Sequence, residues 1–276
     1  MWSKARLPGM NFKKGSLFRR NAGAERSKSL NDQGGLLAVW GSPGSGKTVT
    51  AVKIAKHLAS QRKNVVLLLC DMTAPMLPCI CPPSELECDR SLGSVFAAHH
   101  IPVNLIRNNL TTHKRLPHLT LMGLRKGENE YTYAACTKSQ AEELLAGLRK
   151  IAPYVVVDCS SYIANDILSA VALMEADSVL RLVNCTLKSV GYFSSQLPLL
   201  REINWDEDKQ YKVAANIKPM QAAGRIGQVL GSVAFTLPHS GEVDKQYLSG
   251  ELLSDLSMKD SRGFRKEIGN ICEEVF

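Results

Sequence analysis

The chain has 276 residues, 45% of them apolar, and a formal net charge of +8. That length admits one large α/β domain or two small ones, and the apolar fraction is that of an ordinary globular core, so one domain is expected. Residues 1–33 hold eight Lys and Arg against Glu25 and Asp32, so most of the net charge lies there, and the near-neutral remainder argues against a domain surface built for nucleic acid.

Residues 1–33 are polar, basic and without periodicity, and the composition predicts a flexible arm. Trp2, Phe12 and Phe18 among its cations suit an anionic membrane surface, a nucleic acid or an acidic partner, and a merely solvated tail is the plain alternative. The first 20 residues lack the apolar core of a secretory leader. The eight cysteines are therefore expected as reduced thiols, and the cytoplasm is the expected location. No run approaches the ~18 apolar residues of a membrane-spanning helix, which leaves peripheral contact at the inner face of the membrane.

The folded domain is expected over residues 34–276. Leu36 to Trp40 reads as a buried strand, and Ala51, Ile54, Ala55, Leu58 and Ala59 recur on one helical face. Val65 to Leu69, Tyr154 to Val157, Ser178 to Val183, Lys212 to Ala215 and Ser232 to Leu237 are further strand candidates, with a helix over Ser139 to Lys150. Continuous apolar runs alternating with helical patterns predict an α/β fold: a doubly wound, mostly parallel sheet with helices on both faces and the ligand at the strands' carboxyl ends. Residues 84–135 read poorly: Leu119 to Met122 is a strand candidate and Arg125 to Tyr133 a surface loop. Phe264, Ile268, Ile271 and Val275 follow helical spacing and are expected to pack on the domain.

Between the first strand and helix stands Gly41-Ser42-Pro43-Gly44-Ser45-Gly46-Lys47-Thr48, followed by Val49. Gly41, Gly44 and Gly46 let the backbone N–H groups wrap a polyphosphate, Lys47 supplies a positive charge between the β- and γ-phosphates, and Thr48 offers a hydroxyl to Mg²⁺. In this strand–loop–helix setting the pattern predicts a nucleoside triphosphate site. Asp158 ends a strand where a carboxylate holds magnesium, or caps a turn. Asp71 also ends a strand, where it orients an attacking water or serves as a turn residue before Pro75. Cys79, Cys81 and Cys88 cluster without the paired spacing of a zinc site.

Val-Trp-Gly-Ser-Pro-Gly-Ser-Gly-Lys-Thr, Val-Val-Leu-Leu-Leu-Cys-Asp, Tyr-Val-Val-Val-Asp-Cys-Ser-Ser, and Leu237-Pro-His-Ser-Gly-Glu-Val-Asp-Lys-Gln-Tyr-Leu-Ser-Gly250 follow in that order. Together they resemble the MinD/ParA superfamily of P-loop ATPases, of the SIMIBI-like kind, and within it the CpaE/TadZ-like branch that localises pilus and secretion assemblies. The resemblance covers about residues 34–260 and implies Mg-ATP binding, an ATP-dependent homodimer and slow hydrolysis. It makes Asp71 the switch I residue that orients water, Asp158 the magnesium aspartate opening switch II, Asn216 the adenine reader and Pro238 part of the loop flanking the base.

Two positions depart from that pattern. Ser42 stands where the superfamily has the signature lysine that reaches the partner's site, and switch II reads Asp158-Cys159-Ser160-Ser161-Tyr162 instead of Asp-x-Pro-x-Gly. Retained Asp71 favours a hydrolysing switch that positions a larger assembly; the altered switch II favours a nucleotide-binding scaffold without turnover. A DNA-partitioning ATPase and a small-molecule kinase are the remaining readings.

Overall fold

The computed structural model describes residues 34–201, 206–219, 221 and 231–276. The basic arm expected over residues 1–33 lies outside them.

Eight strands, β1 Gly35–Gly41, β2 Val65–Leu69, β3 Thr111–His113, β4 Leu116–Met122, β5 Tyr154–Asp158, β6 Ser178–Val183, β7 Gln210–Ile217 and β8 Phe235–Pro238, form one sheet in the order β3-β4-β2-β5-β1-β6-β7-β8. Every neighbouring pair is parallel except β3 with β4. The helices are α1 Lys47–Ser60, the short α2 Leu77–Ile80, α3 Gly93–Phe96 and α4 Val103–Asn108, then α5 Lys138–Ile151, α6 Ile167–Glu175, α7 Leu187–Arg201, α8 Gly241–Ser249 and α9 Arg262–Val275.

The central strands β1, β2 and β5 are apolar along nearly their whole length because both faces are covered, and alternate residues divide the core in two. Leu36, Ala38, Val155 and Val157 pack on one side with Leu144 and Leu148 of α5, Val171 of α6 and Phe193 of α7. Leu37, Val39, Val156 and Leu180 pack on the other with Ile54 and Leu58 of α1 and Phe264, Ile268 and Ile271 of α9. Each such fully buried aliphatic side chain contributes about 1.5–3 kcal/mol. The C-terminal apolar stripe therefore closes one face of the sheet, as its spacing predicts. None of the described helices is long and apolar enough to cross a membrane.

The poorly legible stretch contains the expected strand over Leu119 to Met122, within β4, and the expected loop over Arg125 to Tyr133, most of whose residues are exposed. β3 is a three-residue Thr-Thr-His edge strand, too short and polar for a periodicity argument. The loop expected at the surface over Arg125 to Tyr133 is pinned by Glu128, which is buried and accepts from the Ser91 hydroxyl at 2.5 Å, the Arg125 N–H at 2.9 Å and the Tyr133 hydroxyl at 2.7 Å.

Candidate nucleotide site

β1 runs out at Gly41, in the middle of the sheet, and the chain turns through Ser42–Gly46 into α1. A Cβ on Gly41 would fall 2.3 Å from the Leu182 carbonyl oxygen, so only glycine passes there. Gly44 and Gly46 take φ of 72° and 85°, the left-handed region that glycine enters without strain. The Ser45 N–H closes the turn on the Ser42 carbonyl at 3.1 Å. Whereas α5 and α6 are capped by the side chains of Thr137 and Asp166, α1 starts at Gly46 with no side-chain cap. Its first-turn N–H groups point to an anion.

This loop forms one end of a cavity of about 700 Å³, lined by residues 43–50, Asp71, Asp158 and the segment from Ala215 to Asn216 with Leu237 and Pro238. On its floor the Thr48 hydroxyl donates to Asp158 Oδ2 at 2.6 Å. Asp158 is 3% exposed and its Oδ1 has no hydrogen-bond partner, nor has the buried Ser45 hydroxyl. Burial pushes the Asp158 carboxyl up to about 6, against the Thr48 hydrogen bond and the Lys47 charge. Lys47 Nζ donates to Ser161 Oγ at 2.6 Å and to the Ser42 carbonyl at 3.4 Å. Burial lowers its pKa, with Asp158 and then Asp71 opposing.

Asp71 lines the same cavity, and its Oδ1 accepts from the Thr73 and Ala74 N–H groups at 3.0 and 2.9 Å. The turn role and the cavity position thus coexist in one side chain. The far end of the cavity is built by β7 and β8. Asn216 sits at φ 55°, where the β7–β8 register shifts, and its Oδ1 lies 2.9 Å from His239 Nδ1. With β6 between β1 and β7, the glycine loop and Asn216 stand about 10 Å apart across the sheet. A phosphate group and a base fit at opposite ends of that span.

Pro43 to Val49, Asp71, Asp158, Asn216 and Pro238 all line the cavity, but Gly41 and Ser42, expected among the nucleotide-binding residues, do not. Ser42 is fully buried, its hydroxyl 2.6 Å from that of Ser189 on α7. Ser189 Oγ accepts the Asn184 N–H at 3.2 Å, and the Asn184 amide donates to the Gly44 carbonyl at 3.1 Å. The side chain in the signature-lysine position is thus a strut behind the loop. Sequence reasoning missed Ser161, Ser189, Tyr192 and His239, which come from segments remote in the chain. Ser161, three residues beyond Asp158, and His239, next to Pro238, carried a positional signal; Ser189 and Tyr192 carried none.

Compared by sequence, the chain matches no family model and no curated protein. Compared by structure, it is similar to the MinD cell division protein of Aquifex aeolicus, at TM-score 0.65 and 16% identity over 87% of this chain and 98% of that one. A ParA family ATPase from Chlorobium tepidum TLS aligns at TM-score 0.69 and 16% identity, over 86% and 98%. The chain has the MinD/ParA fold. A third structure with it, the septum site-determining protein MinD from Pyrococcus horikoshii OT3 complexed with Mg-ADP, aligns at TM-score 0.63 and 11% identity, over 87% and 95%. Nearly the whole length of each MinD/ParA neighbour is thus matched, which leaves the expected doubly wound sheet standing.

Proposed function

We propose that the chain binds Mg-ATP in this cavity and acts as a nucleotide-dependent switch with slow turnover. The observation that carries the reading is the Asp158 carboxylate, buried on the cavity floor with Thr48 on one oxygen and nothing on the other. An unpartnered buried carboxylate oxygen is costly to maintain, and a hydrated divalent cation satisfies it. Thr48 and Asp158 are hard oxygen donors of the kind Mg²⁺ takes, so the residues fit the ion. When bound, the ion supplies charge neutralisation at the β- and γ-phosphates.

The chain's own groups do the rest. Lys47 exchanges Ser161 for a phosphate oxygen, the loop amides and the uncapped start of α1 hold the remaining phosphate charge, and Asn216 and Pro238 receive the adenine. Asp71, with Oδ1 fixed by its turn, keeps Oδ2 to orient water. The fold shared with a MinD complexed with Mg-ADP supports this ligand class.

The motif resemblance to the CpaE/TadZ-like branch extends the reading to an ATP-dependent homodimer in the cytoplasm that positions pilus or secretion machinery. Residues 34–276 would form the ATPase domain and residues 1–33 an arm contacting a membrane surface, nucleic acid or partner. Tyr162, at the cavity, and Leu187, at the start of α7, are 70% and 91% exposed and suit a face that a second molecule covers.

The test is calorimetric binding of Mg-ATP beside phosphate release, for the wild type, Lys47→Ala and Asp71→Ala. Binding lost in Lys47→Ala, and turnover without binding lost in Asp71→Ala, is the expected result; a wild type that binds no nucleotide overturns the reading. A second reading, a scaffold that holds ATP without turnover, is favoured by Ser160 and Tyr162, which stand where the superfamily pattern has the Pro and Gly of switch II. Tight Lys47-dependent binding with no phosphate release would select it.

A further inference from the structure

The base end of the cavity holds a pair that the nucleotide reading leaves unexplained. Asn216 Oδ1 lies 2.9 Å from His239 Nδ1, and Asp244 Oδ2 lies 3.7 Å from the same nitrogen. A bare lone pair at Nδ1 would face two oxygens. Nδ1 therefore carries the proton and donates to the Asn216 oxygen. The main chain is held beside Asn216, because the His239 backbone N–H donates to the Ile217 carbonyl at 2.9 Å, one residue beyond Asn216. Asn216, His239 and Asp244 all line the cavity.

A carboxamide with no neighbour turns over easily and presents either its oxygen or its NH₂ to a base. His239 removes that freedom by holding the oxygen. One oxygen lone pair and the NH₂ group remain for a ligand. Adenine offers a donor at its 6-amino group beside a ring acceptor, which an amide reads with both of its ends. Guanine has a carbonyl at position 6, so an amide must turn over to suit it.

The geometry points to His239 as a positioning residue that locks the Asn216 amide and so makes the cavity select adenine over guanine nucleotides. This rests on the reading of the cavity as an ATP site. It assigns His239 no contact with the phosphates and no part in hydrolysis.

The test compares Mg-ATP and Mg-GTP affinities, measured with fluorescent nucleotide analogues on the full chain, for the wild type, His239→Phe, which keeps a ring but cannot donate, and His239→Gln, which donates through its amide. The wild type is expected to prefer ATP, His239→Phe to lose about tenfold of that preference, and His239→Gln to keep most of it. A preference unchanged in His239→Phe, equal loss of both affinities in both variants, or a wild type indifferent to the base overturns the proposal while leaving the nucleotide reading intact. No binding of either nucleotide by the wild type, or binding unaffected by Lys47→Ala, would instead sink the nucleotide reading and this proposal with it.

Discussion

Lys47 Nζ lies 2.6 Å from Ser161 Oγ, so the cation that would meet a phosphate is held by a serine three residues beyond Asp158. The Ser161 hydroxyl in turn donates a hydrogen bond to the Gly41 carbonyl at 3.1 Å, and its carbonyl accepts from the Tyr192 hydroxyl at 2.6 Å. On the nucleotide reading proposed above, an arriving phosphate takes the place of Ser161 on Lys47, and Tyr192 ties the Ser161 segment to α7. A hydrogen bond to a charged group is worth about 1.5–3 kcal/mol, part of which water recovers when the bond is broken. Ser161→Ala is expected to tighten ATP binding by roughly fivefold, about 1 kcal/mol, in a calorimetric titration. Unchanged or weaker affinity would show that Ser161 does not compete with the ligand.

Asp158→Asn keeps the shape of the side chain and its contact with the Thr48 hydroxyl while removing the buried charge. Because burial raises the carboxyl's pKa, the ionised form costs the empty chain stability, and the amide removes that cost. The variant's melting temperature without ligand is expected to rise by several degrees at neutral pH, at about 2–4 °C per kcal/mol for a domain of this size. In the same variant, nucleotide affinity should lose its dependence on magnesium. A magnesium response equal to that of the wild type would remove Asp158 from the metal site.

The parts of this molecule that could be read from sequence are those set by local rules. β2 was legible to the residue because a parallel strand buried on both faces is an uninterrupted apolar run, and β6 keeps its expected bounds although Arg181 interrupts its apolar run. The glycine loop was legible because its turn imposes glycines at fixed spacing. His239, Ser189 and Tyr192 were not, because each acquires its partner only when strands distant in sequence become neighbours in the sheet. The resemblance assigns Ser42 the place of a ligand-reaching residue, and nothing local showed that its hydroxyl turns inward to α7.

That inward turn gives a prediction of its own. Ser42 is fully buried and its hydroxyl meets that of Ser189 at 2.6 Å, so Ser42→Lys would force an ammonium into the space behind the loop. Denaturant melts should show a loss of about 3 kcal/mol or more. Ser42→Ala leaves the Ser189 hydroxyl only the Asn184 N–H, and Ser189→Ala takes a partner from both the Ser42 hydroxyl and that N–H, so each should cost about 1–2 kcal/mol and the double variant less than their sum. Strict additivity would mean that the two hydroxyls do not support one another.

Lys53, on the buried face of α1, ties the phosphate-end helix to the base-end helix: its Nζ donates to Gln246 Oε1 on α8 at 2.5 Å and to the Ser254 carbonyl at 3.2 Å. Burial, aided by Lys56 and opposed by Glu242 and Asp255, lowers its pKa to about 7. An unfolded lysine titrates near 10.4, so between about pH 7 and 10 the unfolded chain binds more protons than the folded one, and stability rises with pH across that window. Below pH 7 the ammonium is charged in both states and the full cost of burying it is present. Lys53→Met removes the titrating group while keeping the length of the side chain. Relative to that variant, the wild type is expected to gain on the order of 2–4 kcal/mol between pH 6.5 and 10, read from urea unfolding at each pH. A difference that stays flat across the window would show that Lys53 keeps its ordinary pKa in the folded chain, its ammonium compensated by Gln246 and the neighbouring carboxylates.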